Sequence, residues 1–205
     1  MKTTYFVTAT NTDVGKTRAC EIFAKEIARL GKRVGYLKPC ETGVIKEPID
    51  GRKMLDLVQE LNKDFVVDIT DVVPYQFELP AAPYVANVNN IDINTNVIIE
   101  KAKFLKQFCD VLIIEGAGGL MVPIKKDYFI ADLIVDLQNE FDMETRLITP
   151  SRLGSINDTL LSQNILETKG INYSWYINLY EDKDSFSEVT LPFYKDYFKD
   201  ELKFL

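Results

Sequence analysis

The sequence predicts a three-layer α/β/α fold with a mostly parallel central sheet. Short apolar runs suited to buried strands alternate along the chain with longer segments of helical periodicity. Such alternation is typical of parallel sheets that are covered by helices on both faces. Polar and glycine-rich motifs follow several of the predicted strands, as expected where ligands bind beyond the carboxyl ends of the strands in an open sheet.

The predicted elements alternate from one end of the chain to the other. Strands are expected at residues 5–8, 34–37, 111–114, 147–149 and 173–177, and helices near 16–30, 50–61, 94–108, 129–140 and 155–169. Gly31 and Gly170 follow two of these helices and are expected to end them, because glycine readily adopts the left-handed conformation of a helix C-terminus. Residues 64–94 contain three prolines and no clear period. We therefore expect a long excursion with at most short elements, which closes over a substrate.

Composition limits the classes of function. The chain has 205 residues, of which 46% are hydrophobic, and we expect one domain spanning residues 1–205. The formal net charge of -7 argues against general affinity for nucleic acid or an anionic membrane. No leader segment or membrane-spanning stretch is recognised, so a soluble, cytoplasmic protein is expected. The widely spaced Cys20, Cys40 and Cys109 favour reduced thiols over a disulfide framework or a zinc site.

Histidine is absent from the chain. Its absence excludes Ser-His-Asp and Cys-His catalysis and any metal site built on histidine. Lysine, aspartate, glutamate and hydroxyl groups remain for chemistry, so catalysis is expected to depend on positioning and charge.

Residues 8–17, TATNTDVGKT, join the first predicted strand to the first predicted helix. Such a loop directs backbone N–H groups and the positive helix end toward one point, where they bind phosphate. Lys16 would reach the outer phosphates, and the Thr17 hydroxyl would bind Mg²⁺. Thr10 replaces the first glycine of the usual G-x-x-x-x-G-K-[ST] pattern, and a Gly-Lys-Thr triplet by itself more often opens a surface helix. The flanking strand and helix favour the phosphate-binding interpretation and make the predicted fold P-loop NTPase-like.

Two charged residues follow other predicted strands. Lys38 ends the second strand; the alternative to a role there is a solvated strand-end lysine. Beside a nucleotide loop, however, a second ammonium helps to neutralise a reacting phosphate. Glu115 follows the third strand and precedes the glycine-rich residues 116–119, as a magnesium-binding carboxylate of the Walker B kind does. The alternative for Glu115 is an acidic strand cap beside a flexible turn.

Three further features each allow two interpretations. Asp50 opens the second helix either as a metal ligand or as an ordinary N-cap. Residues 152–157, RLGSIN, either offer amides to a second anion or only cap the helix that follows. Asn178 follows the last strand, where its amide either reads a nucleobase edge or forms a turn.

Four motifs, in this order and spacing, resemble those of the dethiobiotin synthetase family. They are the loop at 8–17, K-P-x-x-[ST]-G at 38–43, E-G-A-G-G at 115–119 and L-G-x-I-N at 153–157, and the match spans most of the chain. The resemblance implies a cyclo-ligase of biotin biosynthesis that uses ATP and Mg²⁺. Its substrates would be 7,8-diaminopelargonate and CO₂, and its products dethiobiotin, ADP and phosphate. A carbamate and a carbamic-phosphoric mixed anhydride are the implied intermediates.

The resemblance also assigns roles to individual positions. The implied catalytic residues are Lys16, Lys38 and Thr12, and the implied metal ligands are Thr17, Asp50 and Glu115. The implied nucleotide contacts are Asp13, Val14, Gly15, Lys16, Thr17, Arg18, Asp50, Glu115, Gly116, Ala117, Gly118, Asn178, Pro192 and Phe193. The implied substrate contacts are Thr12, Lys38, Thr42, Gly119, Leu120, Ser155, Ile156 and Asn157. Residues 155–157 are similar to an element that receives the substrate carboxylate from the neighbouring subunit, which implies a homodimer with the substrate site at its interface.

The sequence departs from the family pattern at three places. Ala9 stands where the family commonly has glycine, which the loop tolerates if φ is negative. Leu179 stands where many members have aspartate, and the tail around Pro192 is short, so recognition of the base is expected to be loose or altered.

Two other functions are compatible with a phosphate loop. One is a partitioning-type ATPase switch that acts through protein partners, and the other is a catalytically silent nucleotide-binding module. The switch is disfavoured because Asn11 and Thr12 occupy the part of the loop in which those proteins carry a second lysine.

Overall fold

A computed structural model describes residues 2–180, 183–198 and 202–205. The strands in this part of the chain are β1 (Thr4–Ala9), β2 (Val34–Leu37), β3 (Cys40–Thr42), β4 (Tyr75–Phe77), β5 (Val111–Gly119), β6 (Pro123–Lys125), β7 (Tyr128–Phe129), β8 (Met143–Pro150) and β9 (Tyr173–Asn178). The helices are α1 (Lys16–Arg29), α2 (Ile49–Leu61), α3 (Ile69–Val72), α4 (Pro83–Ala86), α5 (Thr95–Leu105), α6 (Ile130–Glu140), α7 (Ser155–Thr168), α8 (Lys183–Val189) and α9 (Leu191–Tyr197).

The central sheet has five strands in the order β2-β5-β1-β8-β9, and each neighbouring pair is parallel. Helices cover both faces, since α1 packs against α2 and α5 packs against α6. The three-layer α/β/α prediction is therefore confirmed. The four strands β1, β2, β5 and β8 are almost wholly buried, which explains why they read as apolar runs rather than as alternating patterns.

The main hydrophobic cluster joins the sheet to its helices, with Phe6, Leu112 and Ile113 fully buried. A second, smaller cluster forms beside β9, where Tyr194 of α9 packs with Phe186 of α8 and Ile177. Among the described helices, none combines the length and the apolar character needed to cross a bilayer.

The predicted elements of the central sheet are all present, with shifted ends. The predicted strand 111–114 is too short, because β5 continues through the glycine-rich residues to Gly119. Glu115 therefore lies within β5, whereas it was predicted to follow the strand. After an irregularity, pairing with β1 resumes between Ala9 and Gly119, where the lack of a side chain permits the close approach of the Thr10 carbonyl.

Residues 64–94 contain only short elements, as predicted: α3, β4 and α4. Gly31 and Gly170 have φ values of 72° and 65° and follow α1 and α7, so their prediction as helix stops is confirmed. The small pairs β3-β4 and β6-β7 and the helices α8 and α9 were not predicted.

Candidate active site

The loop between β1 and α1 presents the amides of the first helical turn. Gly15 precedes α1 with a φ of 94°, and no described side chain caps this helix start. The first N–H groups of a helix have no intrahelical partner, so they remain available to an anion. Asp13 also has a positive φ, 58°, a conformation that aspartate tolerates better than most residues.

The departures at Ala9 and Thr10 are explained by the backbone. Within the described residues, the only non-glycine residues with positive φ are Asp13 and Asn90. Neither Ala9 nor Thr10 therefore adopts a conformation that requires glycine. Ala9 instead completes β1.

Lys16 is buried at the mouth of this loop. Its Nζ donates a hydrogen bond to the Asn11 carbonyl at 3.0 Å, and the residue is only 8% exposed. Burial lowers the pKa of Lys16, and although the Glu115 carboxylate opposes this effect, the nearby Lys38 ammonium adds to it. Lys16 thus presents an ammonium whose charge is only partly compensated, which suits it to meet an anion.

Lys38 connects two carboxylates from different elements. Its Nζ donates to Asp50 Oδ2 at 2.7 Å and to Glu115 Oε1 at 2.8 Å. The Thr17 hydroxyl donates to the same Glu115 oxygen at 2.8 Å. Burial alone would lower the pKa of Lys38, but the charges of Glu115 and Asp50 outweigh burial and raise it. The four side chains therefore form one charge-assisted network.

Tyr36 completes the surroundings of Glu115. Its hydroxyl donates to Glu115 Oε2 at 2.8 Å inside the sheet. Burial and the Glu115 charge raise the pKa of Tyr36, so it remains a protonated donor. Both oxygens of a carboxylate that is 1% exposed are thereby satisfied, as a buried charge requires.

A cavity of about 680 Å³ lies over this network. Of the residues implied by the resemblance, those lining it are Thr12, Asp13, Gly15, Lys16, Lys38, Thr42, Asp50, Glu115, Gly116, Ala117 and Gly118. Residues 80–83 of the 64–94 excursion form another wall, which places part of the excursion beside the predicted substrate region. Both lysines therefore face the same space.

The other implied residues do not line this cavity, and they fall into three groups. The first comprises Thr17, Val14, Arg18, Gly119 and Leu120, which adjoin the loop or the network. The second is Asn178, beside the loop. The third lies around α7 and α9 and comprises Ser155, Ile156, Asn157, Pro192 and Phe193.

Asn178 braces the phosphate loop. Its Nδ2 donates to the Val14 carbonyl at 2.9 Å, and the residue is buried. A Cβ on Gly15 would collide with the Asn178 amide. Glycine is thus required at position 15 both by its positive φ and by this close contact. Arg18, on the first turn of α1, lies 6.0 Å from the centre of the Tyr180 ring.

The start of α7 is held by buried hydroxyl groups. Thr159 Oγ1 donates to the Ser155 carbonyl at 2.6 Å and lies 3.0 Å from the Tyr194 hydroxyl. Ser155 is buried while Asn157 is exposed. Phe193 stacks on Tyr197 within α9, 5.1 Å between ring centres. Residues 155–157, 192 and 193 do not line the cavity that contains the two lysines.

Two residues that support the network were not identified from sequence. In the sequence, Tyr36 is part of an apolar strand. Its role could have been suspected because a buried tyrosine needs a hydrogen-bond partner for its hydroxyl. Glu41, on β3, accepts the backbone N–H groups of Asp50 and Gly51 at 3.0 and 2.9 Å. Burial raises the pKa of Glu41, although Lys38 and the two amides oppose this.

The N-cap interpretation of Asp50 is wrong. Helix α2 begins at Ile49 after Pro48, and the carboxylate that receives its first amides belongs to Glu41. A proline at the N-cap has no side chain that accepts a hydrogen bond. The carboxylate of Glu41 on β3 provides the acceptor instead. The Asp50 side chain is free to point to Lys38.

The oxygen donors of the network suit a hard divalent cation. A hydroxyl from Thr17 and carboxylates from Asp50 and Glu115 are the ligand types that Mg²⁺ prefers. The Lys38 ammonium between the two carboxylates shows that this position favours positive charge. Among the described residues, no three His, Cys, Asp or Glu side chains form a metal-holding group. A site with two carboxylates and one hydroxyl fits Mg²⁺, which usually takes one or two carboxylates together with phosphates and waters.

The parallel sheet, the loop leading into α1 and the acidic residue on the adjacent strand β5 define a P-loop nucleotide-binding protein. A family model described as an AAA domain matches residues 3–177. The MinD cell division protein of Aquifex aeolicus shares the fold, with a TM-score of 0.56 and 17% identity over 97% of this chain and 79% of that one.

The chain belongs to the dethiobiotin synthetase family. It is 46% identical over 190 residues to the ATP-dependent dethiobiotin synthetase BioD of Sulfurovum sp. (strain NBC37-1), covering 92% of this chain and 88% of the relative. It is 40% identical over 173 residues to the protein of the same name from Methanocaldococcus jannaschii, covering 82% and 75%.

Proposed function

We propose that this protein is an ATP-dependent dethiobiotin synthetase, which carboxylates 7,8-diaminopelargonate and closes the ureido ring. The observation that carries the proposal is the pair of buried ammonium groups, Lys16 and Lys38, which face one cavity beside a phosphate loop. Membership of the family supports the choice of substrate. The products would be dethiobiotin, ADP and phosphate.

The reaction divides into three steps. One substrate amine adds to CO₂ and loses a proton, which gives a carbamate. A carbamate oxygen then attacks the γ-phosphorus of ATP, ADP leaves, and a carbamic-phosphoric anhydride forms. The second amine attacks the carbamoyl carbon, the C–O bond to phosphate breaks, and the ring closes as the amine loses its proton. The chain has no histidine, so no imidazole base takes part in these steps. Charge neutralisation and proximity would carry them instead.

The lysines and threonines around the cavity have distinct proposed roles. Lys16 and Lys38 stabilise the phosphate and carbamate oxygens, while Thr12 and Thr42 contact the diamine. Thr17, Asp50 and Glu115 hold Mg²⁺. Bound there, the metal would neutralise charge on the transferred phosphoryl group.

The nucleotide would lie along the loop. Its phosphates would contact residues 13–18 and the backbone at 116–118, and its base would lie toward Asn178, Pro192 and Phe193. The Asn178 amide nitrogen already bonds to the loop, and Leu179 carries no polar group, which supports weak selection of the base.

The same proposal includes a homodimer and a cytoplasmic location for this single domain. Ser155, Ile156 and Asn157 lie outside the cavity of their own chain, and neighbouring Leu153 is 77% exposed. Gly119 and Leu120 would support the substrate site from the end of β5. A second copy would supply its residues 155–157 to the substrate carboxylate.

The partitioning-type switch is not favoured. Likeness to MinD at 17% identity shows the fold alone. Within the loop, Asn11 and Thr12 lie where the second lysine of such proteins is expected.

A product assay tests the proposal. Purified protein is incubated with 7,8-diaminopelargonate, bicarbonate and Mg²⁺, with ATP, GTP or CTP in parallel, and dethiobiotin is measured by mass spectrometry. We expect dethiobiotin in equal amount to the nucleoside diphosphate, and none after chelation of the metal. The proposal fails if folded protein forms no dethiobiotin with any nucleotide, or if its ATP hydrolysis responds to a protein partner and not to the diamine.

A further inference from the structure

Glu41 is a buried carboxylate at the wall of the cavity, and the motifs assign it no role. It is 7% exposed, and both of its oxygens are used. Oε1 accepts the N–H of Asp50, and Oε2 accepts that of Gly51. A carboxylate held against two consecutive amides fixes the orientation of that backbone as well as its position.

The start of α2 depends on this contact. Pro48, at the N-cap, provides no side-chain acceptor, and no other described side chain caps the helix. Gly51 permits the close approach, since a Cβ there would collide with Val73 and lie 3.2 Å from Glu41 Oε2. Position 48 is buried, and a serine there would cap the helix with a neutral hydroxyl, without burying a charge. Capping alone therefore does not account for a buried glutamate.

The backbone that Glu41 holds carries Asp50. The Asp50 side chain is 45% exposed, whereas that of Glu115 is 1% exposed and anchored by Thr17, Tyr36 and Lys38. Asp50 is thus much less enclosed than Glu115, the other proposed carboxylate ligand. Its carboxylate is directed toward Lys38 and Glu115 only while the first turn of α2 keeps its present orientation.

We propose that Glu41 is a positioning residue, which acts through Asp50 to set the geometry of the magnesium site. This inference rests on the proposed function for the identity of that site. Glu41 would not itself bind the metal, since both of its oxygens already accept backbone N–H groups. Loss of its second acceptor oxygen turns the Asp50 backbone and moves the carboxylate away from the other two ligands.

Direct metal binding tests the inference. Glu41→Gln keeps the size of the side chain but sets an NH₂ group against a backbone N–H. Mg²⁺ binding is measured by calorimetry with protein saturated by a non-hydrolysable ATP analogue. We expect Glu41→Gln to weaken Mg²⁺ binding about tenfold, in the range found when groups that orient metal ligands are altered. Glu41→Asp, which retains the charge but is one methylene shorter, should give a smaller loss.

A double-mutant cycle separates positioning from a general structural effect. If Glu41 acts through Asp50, adding Glu41→Gln to Asp50→Asn causes no further loss of Mg²⁺ binding. Asp132→Asn is the matched control, because Asp132 accepts the Phe129 amide at the start of α6 at 2.8 Å and does not line the cavity. We expect this control to bind Mg²⁺ like the unaltered protein.

Three results would overturn the inference: unchanged Mg²⁺ binding in both Glu41 variants, a full additional loss in the Asp50→Asn background, or an equal loss in Asp132→Asn. If Glu41→Gln does not fold, Glu41→Asp alone and combined with Asp50→Asn decides the same question. Failure of the proposed function is separately visible, as a protein that binds Mg²⁺ and nucleotide but forms no dethiobiotin.

Discussion

Replacing Lys38 with methionine removes the ammonium that joins two carboxylates and keeps most of the side-chain volume. The Lys38 side chain is 7% exposed and that of Glu115 is 1% exposed, at a distance of 2.8 Å. Asp50, at 2.7 Å, is 45% exposed and contributes less because solvent screens it. The main energetic effect of the substitution is therefore an uncompensated charge on Glu115.

Breaking a buried ion pair by removing one partner costs about 3 to 5 kcal/mol. For a domain of this size each kcal/mol lowers the melting temperature by about 2 to 4 °C, so we expect Lys38→Met to melt about 6 to 20 °C lower. Adding Glu115→Gln should restore part of this loss, since it removes the unpaired charge. Turnover should fall at least about a hundredfold, because the ammonium that is proposed to stabilise the reacting phosphate is lost.

Lys16→Met is the matched control for stability. Lys16 is also buried, but its ammonium donates to the Asn11 carbonyl, and within the described residues it forms no ion pair. Thermal unfolding without nucleotide should thus place Lys16→Met close to the unaltered protein, while its turnover falls as far as that of Lys38→Met. Equal melting temperatures for the two variants would refute the reasoning about Glu115.

Two further predictions concern the loop and the second subunit. Gly15→Ala should weaken nucleotide binding in calorimetry and cost about 1 to 3 kcal/mol in stability. Gly31→Ala is the control, because Gly31 has a φ of 72° and an added Cβ would meet no other atom, so this variant should show the backbone strain alone. If Gly15→Ala and Gly31→Ala changed nucleotide binding equally, the importance of the contact with Asn178 would be contradicted. If the substrate site is shared, mixing Lys38→Met with Asn157→Ala subunits should restore dethiobiotin formation that neither variant has by itself; a mixture that stays inactive after verified subunit exchange would count against the homodimer.

Most of the central sheet was predictable because four of its five strands are almost wholly buried. Residues 34–37 and 111–114 read as apolar runs, and the glycines after α1 and α7 mark helix ends in any context. The extension of β5 was not predictable from local sequence, since Gly116 to Gly119 read as a turn. Only the approach of β1 makes them a strand.

Of the elements that were missed, β3, β4, α8 and α9 depend on packing with other parts of the chain. Strands β3 and β4 have three residues each and pair with one another across more than thirty residues of chain. Helices α8 and α9 carry mixed aromatic and charged residues, and they are fixed by packing around Tyr194. Short segments of this kind have weak local preferences, so tertiary packing decides their conformation.

The residues of the candidate site also fall into those that local motifs predict and those that depend on distant contacts. Lys16, Lys38 and Glu115 belong to local motifs and were identified from sequence. Tyr36 is 79 residues from the carboxylate it contacts, and Glu41 acts on a helix that begins after an intervening loop. Sequence motifs identify residues that are expected to bind a ligand directly. Residues that position those ligand-binding residues are identified only from the contacts of the folded structure.

The contacts also show that the two lysines are not equivalent. Lys38 is compensated by two carboxylates, so in the free protein its charge is already balanced. Lys16 has a backbone carbonyl as its partner, and burial lowers its pKa, so it gains most from an arriving anion. In the proposed reaction, an incoming phosphate would therefore be met first by Lys16 and the loop amides. Lys38 would respond when the charge between Asp50 and Glu115 changes. The proposed mechanism would thus separate binding of the nucleotide from activation of the reacting group, in a chain that has no histidine.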